Sequence, residues 1–191
     1  GIVTYSFTLT GSTYYHIQTP DALADDNLNT SEAIVLYSGN SPWPIQVGDL
    51  VSVTGQVSEY AIDGYADRQD TDMKTTQINV RNDAGGKVTK LESNVKLPTP
   101  IKIDETNLPT KHIDSDKLAI FNPDVDAIDF WESLEGMLVE VDNVKAVAPQ
   151  QHGDLTTVLE NRKTNSLHGG LLLEEGNFNA DRIQFRLEPN G

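Results

Sequence analysis

The chain has 191 residues, with 14 Lys+Arg against 29 Asp+Glu and a formal net charge of −15. That balance excludes a general nucleic-acid binder held over its whole surface by counterion release, and no apolar run approaches the ~20 residues of a membrane-spanning helix, so no membrane insertion is expected. The absence of cysteine removes disulfide scaffolds, thiolate zinc sites and thiol nucleophiles together.

Gly1 leads straight into the strand pattern Ile2-Val-Thr-Tyr-Ser-Phe7, with no initiating Met and no leader, which reads as a piece of a longer protein. Short runs rich in β-branched and aromatic residues follow: Ile2 to Leu9, Tyr14 to Gln18, Ala33 to Tyr37, Leu50 to Tyr60, Thr75 to Val80 and Lys87 to Glu92. Turn chemistry separates them at Gly11-Ser12, Asp25 to Asn29, Gly39 to Pro44, Asp63-Gly64 and Asp83 to Gly86. In the longest run, Leu50, Ser52, Thr54, Gln56 and Ser58 alternate with Val51, Val53, Gly55, Val57 and Glu59. A glycine inside such a pattern marks a bulge or a barrel corner. The pattern predicts a mainly β chain that opens with a five-stranded Greek-key barrel of the OB type, with an SH3-like barrel as the next choice.

Leu97-Pro-Thr-Pro100 interrupts the pattern, because two prolines so close cannot pair within a central strand. The expected division is a barrel over 1–97, a connecting segment over 98–122, and a helix plus a second, smaller β-rich unit, OB-like or incomplete, over 123–191. Asn122 and Pro123 suit the N-cap and first position of the helix, and Ala127, Phe130, Trp131 and Leu134 give it one apolar stripe ended by Gly136. Gly136 to Val144 then echoes Gly48 to Val57 in its opening glycine and alternation. Further strands are expected at Thr156 to Glu160, Gly170 to Glu174 and Arg182 to Leu187.

Chemistry-bearing motifs are sparse. His16, His112, His152 and His168 are scattered, and no H-x-E, H-E-x-x-H or G-x-S-x-G pattern occurs, so no catalysis is expected of this chain. Aromatic and cationic residues gather on and beside the barrel strands: Tyr14, Tyr15, Tyr37, Trp43, Tyr60 and Tyr65, with Arg68, Lys74 and Arg81 nearby. OB folds bind single strands by stacking bases on rings and tracking phosphates with cations. The candidate nucleic-acid-binding residues are therefore Tyr15, Tyr37, Trp43, Tyr60, Tyr65, Arg68 and Lys74, although core packing is the favoured account of any one ring. Tyr14 and Tyr15 cannot both face inward.

Oxygen side chains recur at Asp25, Asn27 and Asn29, like the start of a calcium loop that lacks its glycine and distal Glu. Asp63, Asp67, Asp70 and Asp72 form a second acidic group, and Asp114, Asp116, Asp124 and Asp126 a third. Calcium is the cofactor to test first, while solvated turn carboxylates in an acidic protein are the favoured reading of these groups.

Five segments together, Tyr15-His-Ile-Gln-Thr-Pro-Asp21, Thr30 to Tyr37, Val47 to Tyr60, Thr76-Gln-Ile78 and Leu134-Glu-Gly-Met-Leu-Val139, resemble the non-catalytic region of predicted extracellular bacterial nucleases. There, OB-fold modules precede an endonuclease/exonuclease/phosphatase-type catalytic domain, and related modules occur in the calcium-activated, sugar-non-specific nucleases of bacilli. The resemblance implies an accessory module, extracellular or cell-wall-associated. Its implied partners are single-stranded DNA or RNA and the catalytic domain of the same parent chain. The acidic charge favours instead a structural spacer or protein-docking module that binds no nucleic acid. A carbohydrate-binding module with Trp43 stacked on a sugar is a third reading.

Overall fold

Alternation over the first sixty residues becomes five strands, β1 (Ile2–Leu9), β2 (Ser12–Gln18), β3 (Ala33–Gly39), β4 (Leu50–Thr54) and β5 (Gln56–Tyr60), followed by β6 (Thr75–Asn79) and β7 (Lys87–Glu92). The computed structural model describes residues 1–25, 27–61, 73–151 and 153–187. The chain is mainly β and divides into two units. The first comprises Gly1–Asp26, Ser31–Thr99 and Glu135–Leu138; the second comprises Asn27–Thr30, Pro100–Leu134 and Val139–Gly191. No helix among the described residues is long and apolar enough to cross a membrane.

In the first unit the seven strands form one sheet in the order β5-β6-β3-β2-β1-β4-β7. Every pairing is antiparallel except that of β3 with β6. Gly55 separates β4 from β5, and the two halves of this stretch pair at opposite ends of the order: β4 with β1 and β7, β5 with β6. The sheet is accordingly curled into a half-barrel. A Cβ on Gly55 would lie 2.3 Å from the Asn79 carbonyl oxygen and 2.6 Å from Ile78 Cγ2, so only glycine lets the chain pass so close to β6.

Val3, Tyr15, Ile17, Leu36, Val51, Val80 and Val88 fill the concave side, with Ile34, Trp43, Ile45, Val53 and Ile78 packed around them. Full burial of each large apolar side chain contributes roughly 1.5–3 kcal/mol. At the Gly48-Asp49 turn, the Gly48 N–H donates to the Val3 carbonyl and Val3 N–H to the Asp49 carbonyl, both at 2.9 Å. The buried Asp49 carboxylate accepts the Gln46 N–H at 2.9 Å and pairs with Lys90 Nζ at 2.7 Å. The bond from Lys90 is the main reason its pKa lies below the ordinary value.

The second unit is built from shorter pieces: β8 (Ile101–Ile103), α1 (Ala127–Ser133), β9 (Val139–Val141), β10 (Val144–Ala146), β11 (Asp154–Leu159) and β12 (Ile183–Arg186). β8 pairs with β9 in parallel, and β10-β11-β12 form an antiparallel sheet. Ile103, Leu108, Phe130, Leu159 and Ile183 make its core, joined by Trp131, Leu134, Val141, Val144 and Phe185. The segment 98–122 supplies β8 and a series of turns, with Asp104 accepting the Thr106 N–H and Asp114 the N–H groups of Lys117 and Leu118.

The helix begins four residues later than its cap-like sequence predicts. Asn122 starts a turn, its carbonyl accepting from Val125 and Asp126 N–H, while its own N–H donates to Asp129 Oδ2 at 2.7 Å. Asp126 becomes the N-cap without a capping side-chain bond, because its carboxylate accepts the Ser115 hydroxyl instead. Gly170 to Glu174 is not a strand: the Asn165 amide brackets Leu172, accepting its N–H and donating to its carbonyl, which satisfies locally what a neighbouring strand would have satisfied.

Candidate ligand-binding face

The turn between β1 and β2 fixes what lies on the convex side of the sheet. Thr10 and Gly11 both have positive φ, 47° and 82°, as a two-residue type I′ hairpin requires. Leu9 therefore faces Ser12, Phe7 faces Tyr14 and Tyr5 faces His16. In the next pairing Tyr14 faces Tyr37 of β3.

Those registers create a row of rings. Tyr5 and Phe7 have centroids 5.7 Å apart, Phe7 and Tyr14 are stacked at 5.0 Å with an interplanar angle of 10°, and Tyr14 and Tyr37 lie 5.4 Å apart. His16 meets Tyr5 and Phe7 edge-on at 5.7 and 5.9 Å. Tyr5 is 48% exposed, and Phe7, Tyr14 and Tyr37 are half-buried. Burial raises the Tyr14 phenol pKa, and the Tyr60 and Tyr37 phenols raise it further; Tyr60, half-buried at the end of β5, lies on the same face of the sheet as Tyr37 by the β5–β6–β3 register. The Arg81 guanidinium lies 5.7 Å from the Tyr37 ring centroid and caps the row.

One edge of the patch is bounded by residues 135–138. The Gly136 carbonyl can only accept, so His16 Nδ1 carries a proton and donates to it at 3.1 Å. Nε2 is the remaining acceptor of the neutral ring. Burial lowers the His16 pKa, and this bond offsets part of the effect. The Glu135 carboxylate accepts the Thr76 N–H at 3.0 Å, and the Leu138 N–H donates to Gln18 Oε1 at 2.8 Å. Desolvation raises the Glu135 pKa against the opposing bond from Thr76, and Glu59 raises it further.

At the other edge, beyond Tyr37, lies a cleft of about 580 Å³ lined by Thr10, Ser12, Tyr37, Asn40, Ser41 and Arg81, among others. Its walls carry hydroxyls, amides, the Arg81 guanidinium and the Asp83 carboxylate, so its chemistry is polar where that of the row is aromatic.

The residues singled out by sequence fall in different places. Tyr37 stands in the row and Tyr60 beside it. Tyr15 is 3% exposed, with its hydroxyl donating to the Trp43 carbonyl at 2.9 Å, so its ring serves the core. Trp43 packs against that core and donates Nε1–H to the Val80 carbonyl at 3.0 Å. Lys74 is exposed just ahead of β6. Tyr65, Arg68, Asp26 and the acidic group at 63–72 lie outside the described residues.

The acidic loops use their oxygens locally. In the first unit, the Asp25 N–H donates to Glu32 Oε1 at 2.9 Å. In the second, Asn27 Oδ1 accepts the Asn29 N–H, and Asp114, Asp116 and Asp126 accept from turn N–H groups or from Ser115. Among the described residues no group of three or more His, Asp or Glu side chains is placed to hold a metal ion. Sequence reasoning did not single out Tyr5, Phe7 and His16 as a set. The signal that finds them is the two-residue Thr10-Gly11 turn, which dictates the hairpin register and hence the facing pairs.

A family model described as Domain of unknown function (DUF8508) matches residues 91–190. That span is just over half of the chain, and the chain belongs to this family. No curated protein matches the chain, and no solved structure does.

Proposed function

We propose that this chain is a non-catalytic accessory module of an extracellular or wall-associated nuclease, whose convex β1–β3 face stacks the bases of single-stranded nucleic acid. The observation that carries the reading is the row Tyr5, Phe7, Tyr14 and Tyr37 with Arg81 at its end. Each base stacked on such a ring is worth roughly 1–3 kcal/mol whatever its identity.

The strand order supports the same reading. With β4 and β5 counted as one bent strand, the pairings run first, second, third, fifth, fourth and back to first, with the third and fifth parallel. This agrees with the OB type, whose second and third strands present the ligand face. The nuclease context and the export of the parent rest on the resemblance of the five sequence segments.

The charge of −15 supports the second reading, a spacer or docking module. A polyanion approaching this surface meets long-range repulsion that stacking and one arginine must outweigh. Fluorescence anisotropy with a labelled single-stranded oligonucleotide at low salt, with and without calcium, separates the two. The ligand-binding reading expects a saturable rise that weakens with salt and is smaller for duplex. An unchanged signal at high micromolar protein selects the spacer.

A further inference from the structure

We infer that the cleft beyond Tyr37 is a phosphate subsite organised by Arg81, one that takes a backbone phosphate of the strand whose bases lie on the aromatic row. The inference rests on the nucleic-acid reading above and names the contact that would set the strand's position on the row.

Arg81 is held in place before any ligand arrives. Its backbone N–H and its Nε both donate to Asn79 Oδ1, at 3.2 and 3.3 Å. The guanidinium lies against the Tyr37 ring. On another side the stem lies flush on Gly39: a Cβ there would come within 2.9 Å of Arg81 Cδ, and Gly39 has a φ of +63°, which other residues rarely adopt. The arginine stem therefore passes over a backbone that only glycine keeps low.

These contacts consume the backbone N–H and the Nε edge. Nη1 and Nη2 make no hydrogen bond to any described residue. Asp83, a carboxylate that itself lines the cleft, is 3.7 Å from Nε and 76% exposed, a separation and an exposure at which an ion pair contributes little and its repulsion of an incoming anion is screened by solvent. A guanidinium with two parallel N–H donors left open, a fixed stem and a stacked face fits an oxyanion bidentately. The Thr10, Ser12 and Ser41 hydroxyls and the Asn40 amide also line the cleft and can donate to the remaining phosphate oxygens. Fixing the donor in advance avoids part of the ordering cost that a flexible surface lysine would incur on binding.

The location argues for phosphate among anions. Tyr37 both supports the guanidinium and ends the row, so a nucleotide whose base lies on Tyr14 or Tyr37 has its phosphate within reach of the cleft. The subsite also explains how a strongly acidic chain could hold a polyanion: the contact is local, and the guanidinium is the cation at that edge.

The test is an anisotropy titration of the whole chain with a labelled oligothymidylate across a salt series, comparing wild type with Arg81→Gln, Arg81→Lys and Tyr14→Ala. Arg81→Gln should weaken binding about tenfold and reduce the log–log salt slope by about 0.7, the share of one single-strand phosphate. Arg81→Lys keeps the charge and the aliphatic stem; it should retain the slope yet regain only part of the affinity, and it guards against a folding defect in the glutamine variant. Tyr14→Ala should weaken binding with the slope unchanged. If Arg81→Gln keeps the wild-type slope, whether or not its affinity falls, the phosphate subsite is overturned while the aromatic row can stand on the Tyr14 result. If wild type binds no oligonucleotide, both readings fall.

Discussion

The two faces of strands β1–β3 use the same residue type in opposite ways. Tyr14 and Tyr15 are neighbours on β2, yet Tyr15 is 3% exposed with its hydroxyl bonded to the Trp43 carbonyl, whereas Tyr14 is half-buried and held by the rings of Phe7 and Tyr37. The inner tyrosine is bonded at its polar end and packed along its body. The outer one leaves ring area open. What distinguishes the inner ring from the outer one is thus whether its polar end is already bonded and how much of its ring stays exposed.

That contrast can be broken most directly by truncating the inner ring. Tyr15→Ala should cost about 3–5 kcal/mol, the range for emptying a buried aromatic site, read as a lowered midpoint in urea unfolding; a loss below ~1 kcal/mol would mean the two tyrosines are equivalent. Tyr14→Ala should cost the fold less than ~1 kcal/mol, as for a cross-strand pair, while weakening oligonucleotide binding by roughly 1–3 kcal/mol. Gly55→Ala sharpens the comparison from the side of the backbone. Its Cβ would overlap the Asn79 carbonyl, and overpacking of this kind costs about 1–3 kcal/mol. Unfolding should detect it, and a wild-type midpoint would show that the close approach to β6 is not required.

The smallest effects concern pH at the edge of the outer face. The folded-state pKa of His16 lies below its ordinary value of 6.5, so its contribution is complete above pH 6.5 and is lost as pH falls through the folded pKa. Glu135 is shifted upward from 4.5, so its contribution is complete below pH 4.5 and is lost as pH rises through the folded pKa. Glu135→Gln keeps an acceptor for the Thr76 N–H without a charge to desolvate. Its stability relative to wild type should rise between acidic and neutral pH in denaturation midpoints; a pH-independent difference would remove Glu135 as a titrating contact.

Much of the first unit was legible because alternation and a mid-strand glycine are local signals, whereas the first turn falls at Thr10-Gly11, one residue before the Gly11-Ser12 pair that the turn chemistry suggests. Gly55 announces the bend, and the alternating Val51 and Val53 announce the buried face of β4. The helix stripe Ala127, Phe130, Trp131 and Leu134 was legible for the same reason. Its start was not, because the bonds that decide it, Asn122 to Asp129 and Ser115 to Asp126, join residues seven and eleven positions apart. On the outer face, alternation says that Tyr14 and Tyr15 point opposite ways but not which one points inward; the register shift between Val3 and Tyr5 and the pairing with β3 decide that. The bonds from residues 135–138 to His16, Gln18 and Thr76 span 59 to 120 positions and leave no sequence pattern at all.

The division of labour between the two faces is tested most directly by aromatic ¹H–¹³C spectra of the whole chain titrated with a single-stranded oligonucleotide at low salt. The account predicts that the ring resonances of Tyr5, Phe7, Tyr14 and Tyr37 shift together to a common saturation point while those of Tyr15 and Trp43 stay in place. Shifts confined to other residues, or moving Tyr15 as far as Tyr14, would contradict it.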